Sequence, residues 1–96
     1  MNLSATPVPN PMAVLREEFD EWALLFNPDT ADVFGINPVG VAVWKLLDGT
    51  RDVSQVAAFV RDAFEGAPET VAAEVAAFLT TLEERGFVGH EMARGQ

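Results

Sequence analysis

Cysteine is absent from the 96 residues, so the chain cannot close a disulfide, ligate an iron–sulfur cluster or use a thiol nucleophile. Positive charge is scarce. Six Lys and Arg stand against fifteen Asp and Glu, a formal charge of −9, which repels the phosphate backbone and disfavours anionic lipid. Nucleic acid and membrane are therefore poor partners. No window approaches the ~20 apolar residues that span a bilayer. Met1 to Met12 holds no Lys or Arg and no apolar run of signal-peptide length, and Pro7, Pro9 and Pro11 interrupt it, so it reads as a cytoplasmic, extended lead-in.

Catalytic side chains are also few. His90 is the single histidine and falls in a predicted tail. Ser4 and Ser54 are the two serines, one in the proline-rich lead-in and one in a first helical turn. No Gly-rich phosphate loop, zinc spacing or dinucleotide fingerprint occurs. The expectation is a protein that is not an enzyme and carries no cofactor. What the chain does have is a hydrophobic fraction of 49%, enough to bury a core. Its length suits one domain, a typical domain having ~100–150 residues. The reading divides it into a flexible lead-in over 1–12, one folded domain over 13–89 and a flexible tail over 90–96.

Strand-like runs occupy Ala13–Arg16, Trp22–Phe26 and Asp32–Ile36, joined by short connections that favour an antiparallel meander. Asn27-Pro28-Asp29-Thr30 is a turn with a mechanism: Pro28 presets φ, and Asn27 and Asp29 can bond nearby amides. Glu17 to Glu21 reads as a solvated turn between the first two strands. From Asn37 the period becomes helical, with Asn37 as cap and Pro38 at the first position, ending at Asp48-Gly49. Asp52 with Gln55 forms a capping box opening a second helix that runs to Gly66. Pro68 opens a third, with Val71, Val75, Phe78 and Leu82 as its stripe, Glu69 in its first turn, Arg85 in its last and Gly86 as its stop. Phe87-Val88 packs back on the core. Trp22, Phe26, Phe34, Trp44, Phe59, Phe64 and Phe78 are all expected in the core. The fold class is α+β, a three-stranded antiparallel sheet followed by three helices, winged helix-turn-helix-like in shape.

Two features remain unassigned. In a meander the third strand is an edge with unpaired N–H and C=O groups, guarded only by Asp32, and Gly35 lets another backbone approach. On the third helix Ala72, Ala76 and Leu79 form a secondary strip that would make a shallow trough if it faced that edge.

The segments Trp22-Ala-Leu-Leu-Phe-Asn-Pro-Asp-Thr, Val33-Phe-Gly-Ile-Asn-Pro-Val-Gly and Trp44-Lys-Leu-Leu-Asp-Gly, with Leu82-x-x-x-Gly86-Phe87-Val88, resemble the PqqD family over about Ala13–Gly89. The resemblance implies a peptide chaperone that binds the leader segment of a ribosomally made precursor and presents it to a modifying enzyme, usually of the radical S-adenosylmethionine type. It places the guest as a strand added to Asp32, Val33, Phe34 and Gly35, with Ala72, Ala76, Leu79 and Glu83 as the groove wall. Phe34 could instead point into the core with Ile36. Two other readings stand beside this one. A winged-helix transcription factor shares the shape but lacks basic residues, the second helix carrying only Arg61. An oligomerising subunit, such as a homodimer, would use the same open edge for self-pairing.

Overall fold

The second and third strands of the structure, β2 (Val14–Glu17) and β3 (Ala23–Asn27), lie within a residue of the expected runs, and β4 spans Asp32–Ile36 as expected. The computed structural model describes residues 1–64, 66 and 69–91. β3 is central, pairing antiparallel with β2 on one side and β4 on the other, with Ala23, Leu25 and Asn27 opposite Ile36, Phe34 and Asp32. At the β3–β4 turn the Asn27 carbonyl takes the Ala31 amide at 2.7 Å, and Ala31 adopts φ 62°, the left-handed residue that closes the loop before Asp32 pairs with Asn27.

Three helices follow: α1 (Pro38–Leu46), α2 (Val53–Ala63) and α3 (Val71–Glu84). The Asn37 side chain accepts the Gly40 amide at 2.8 Å, and the Asp52–Gln55 capping box is complete in both directions. The Ser54 hydroxyl, followed by the Gln55 amide, holds the Asp52 carboxyl below its ordinary range. α3 begins at Val71, after the cap residue Thr70, so Glu69 precedes the helix and Arg85 is its C-terminal cap. Pro68 lies outside the described residues.

The two ends of the domain depart from expectation. β1 (Thr6–Pro9) pairs antiparallel with β5 (Val88–Glu91), making a second, two-stranded sheet from residues read as lead-in and tail. Ala5 is fully buried, and the carbonyls of Leu3 and Ala5 accept the Ser54 and Val53 amides at 3.0 Å, satisfying the first turn of α2. His90 sits on β5 with its Nδ1 against the Glu83 carboxylate. The core lies between the inner face of β3, the helices and Phe87, with Leu25, Val43, Val53, Val56, Val60, Leu79 and Leu82 closed to solvent.

Candidate functional site

Backbone direction decides what β4 offers. The Glu18 amide donates to the Trp22 carbonyl at 2.8 Å, so the bonded pairs between β2 and β3 fall on Trp22, Leu24 and Phe26. Ala23, Leu25 and Asn27 therefore bond toward β4 and reach Ile36, Phe34 and Asp32. The amides and carbonyls of Val33 and Gly35 are left pointing away from the sheet. β4 is the end strand, so these groups form an open edge.

Beside that edge runs a groove of about 460 Å³. Phe34 and Ile36 supply its β4 side, Gly40 and Val43 its α1 side, and Val71, Val75 and Phe78 its α3 side, with Val60 and Phe64 below. Phe34 points inward and stacks between Phe78 (centroids 6.4 Å apart) and Phe87 (6.3 Å). Gly40 lets α1 approach: a Cβ there would lie 3.0 Å from Ile36 Cβ and 3.1 Å from Phe78 Cζ. At the Asp32 end, the Arg85 guanidinium lies 4.7 Å above the Phe34 ring and 3.4 Å from the Asp32 carboxylate. Toward the start of α3 the groove meets Glu74, which accepts the Thr70 hydroxyl at 2.6 Å.

The expected site residues divide into two groups. Asp32, Val33, Phe34 and Gly35 lie together on the edge as anticipated, with Phe34 in the inward phase. The expected α3 wall is corrected. Leu79 is fully buried in the core. Ala72 and Ala76 lie on the flank where the Met1 amino group meets the Ala76 carbonyl (3.4 Å) and the Thr80 hydroxyl, and Glu83 turns to His90. The wall is instead Val71, Val75 and Phe78, of which the first two are also buried in the core as the sequence assigns them. Trp22, Phe26 and Phe59, also expected inside, are 52%, 40% and 49% exposed. Among the described residues no group of three His, Asp or Glu could hold a metal ion, and no helix is long and apolar enough to cross a membrane.

Comparison with known proteins agrees with this architecture. The family model described as coenzyme PQQ synthesis protein D (PqqD) matches residues 23–88, from β3 to the start of β5. No curated protein sequence matches the chain. The solved structure "TbiB1 in Complex with the TbiA(beta) Leader Peptide" superposes with a TM-score of 0.71 at 19% identity, covering 93% of this chain and 96% of that one. With about two thirds of its length matched, from the central strand through all three helices, the chain belongs to the PqqD family.

Proposed function

We propose that this protein binds the leader segment of a ribosomally made precursor peptide as a strand added to β4, and presents it to a modifying enzyme without taking part in the chemistry. One observation carries the reading: the unpaired groups of Val33 and Gly35 flank an apolar groove, so a guest can gain ladder hydrogen bonds and bury alternate side chains together. The family assignment and a structural neighbour solved with a leader peptide support it. The enzyme partner is of the radical S-adenosylmethionine type and must bring its own cluster, since this chain has no cysteine. Self-pairing through the same edge would bring two copies of charge −9 together, which weighs against a homodimer.

The test uses a precursor leader peptide found, by screening synthetic leaders, to bind this chain. Gly35→Pro removes an edge amide without touching a bond to β3, so the fold survives. Leader binding should weaken by ~1–3 kcal/mol, roughly 5- to 150-fold, because one ladder bond is lost and a guest carbonyl is left unpaired. Unchanged affinity in calorimetry would move the site away from β4.

A further inference from the structure

The outer face of the sheet is dressed the wrong way round for a simple solvated surface. β3 turns Ala23, Leu25 and Asn27 inward while Leu24 and Phe26 face out, and Trp22, just before the strand, lies at the edge where it borders both the groove and the outer face. Val14, Phe26 and Val33 make an exposed apolar row across the three strands, and Leu24 stands next to Gly35. Around that position lies a second depression of about 310 Å³, lined by Trp22, Leu24 and Phe19 together with Glu18 and Asp20. Phe19 is 77% exposed. Glu18 is shared with Arg16 at 3.2 Å.

Gly35 opens this depression and nothing in the backbone requires glycine there. Its φ is not in the left-handed region, and a Cβ would meet only Leu24 Cδ2, at an ordinary 3.8 Å. A glycine inside a strand weakens it, so its presence at an open edge is explained by what it leaves accessible. A guest strand paired with β4 alternates in phase with it. Residues opposite Phe34 and Ile36 enter the groove, and the residue opposite Gly35 emerges on the outer face, beside the depression.

We propose that the guest strand is read on both faces, and that the residue opposite Gly35 is Arg or Lys, its stem lying across Gly35 on Leu24 and its cationic head held between the Trp22 and Phe19 rings and the Glu18 and Asp20 carboxylates. This deepens the strand-addition reading and rests on it. The chemistry fits a cation on three counts: aromatic faces attract it, Asp20 adds a negative charge beside a Glu18 shared with Arg16, and the wall gives an aliphatic stem apolar contact. It also predicts a pattern, a basic residue bracketed by two apolar ones, since both neighbours face the groove.

The test is selection from a phage-displayed library of random linear peptides on the full chain. Recovered peptides should carry Arg or Lys between two apolar residues. A representative peptide should lose about three- to tenfold in affinity when that residue becomes citrulline or norleucine. On the double variant Glu18→Gln, Asp20→Asn, whose asparagine suits the left-handed φ of 56° at position 20, the basic enrichment should vanish while the apolar positions persist. The control Asp62→Gln, Glu84→Gln changes net charge equally and should leave the enrichment intact. Absence of a basic position, or its loss with the control as well, overturns the proposal. Peptides whose binding ignores Gly35→Pro overturn the strand-addition reading itself.

Discussion

Among the described residues Asn27 is the one buried polar side chain of the core, 2% exposed, and it ties the edge hairpin to the end of α3. Its amide donates to the carbonyls of Gly86 (3.2 Å) and Arg85 (3.4 Å), and its Oδ1 accepts the Asp29 amide at 3.0 Å within the turn. Gly86 keeps a second donor, the Asn10 side chain at 3.0 Å, so Asn27→Ala strands the Arg85 carbonyl more than the Gly86 one. Three bonds toward the lower end of ~0.5–1.5 kcal/mol each, the Arg85 one being long at 3.4 Å, put the loss at about 2–3 kcal/mol. For a domain of this size that lowers Tm by about 10–20 °C. Asn27→Asp should be worse, because it keeps the turn bond but sets a carboxylate against two carbonyl oxygens. Urea unfolding followed by helical circular dichroism measures both, and at fixed slope the midpoint reports the change. A loss below about 0.5 kcal/mol for Asn27→Ala, or an aspartate variant as stable as the parent, would refute this account of how the hairpin is anchored.

Other consequences are as direct. Gly40→Ala sets helix propensity, a gain of about 1 kcal/mol, against overpacking on Ile36 and Phe78 of about 1–3 kcal/mol. A net loss of about 0–2 kcal/mol with weakened peptide binding is expected, because Ile36 Cβ is fixed and the neighbour able to shift is Phe78, the groove wall. The Asp52 carboxyl is depressed in the folded chain, so its cap stabilises above the unfolded-state value near 3.8 and is lost as pH falls through the lower folded value. Asp52→Ala should cost about 0.5–2 kcal/mol at neutral pH and flatten the acid limb of the stability curve below about pH 4. Leu79→Glu buries a charge in the closed core and should unfold the domain rather than selectively disable the groove, visible as lost helical signal.

Much of the architecture was legible because its signals are local. Asn37-Pro38, the Asp52–Gln55 box and the Asn27-Pro28 turn each satisfy specific backbone groups within a few residues, and each stands where the sequence placed it. The β1–β5 ribbon escaped because it joins Thr6 to Glu91 across the whole chain, through segments carrying two prolines and a glycine. On α3 three residues of the expected stripe, Val71, Val75 and Leu82, are buried as the spacing predicts, and the fourth gives way to its neighbour. Phe78 and Leu79 are adjacent apolar residues in an alanine-rich helix, so periodicity alone leaves two adjoining faces open, and packing decides that Leu79 enters the core while Phe78 meets Phe34. The outward aromatics of β3 were read as core because strand alternation gives phase but no sign, and here the bulkier phase faces out.

Amide exchange at Val33 and Gly35, followed by NMR with and without a leader or library-selected peptide, tests strand addition most directly. In the free chain both amides should exchange freely, while Phe34 and Ile36, bonded to β3, are already protected; on binding, Val33 and Gly35 should become protected as well. Protection of those two amides before peptide is added, or no change at either after saturation, would contradict the account.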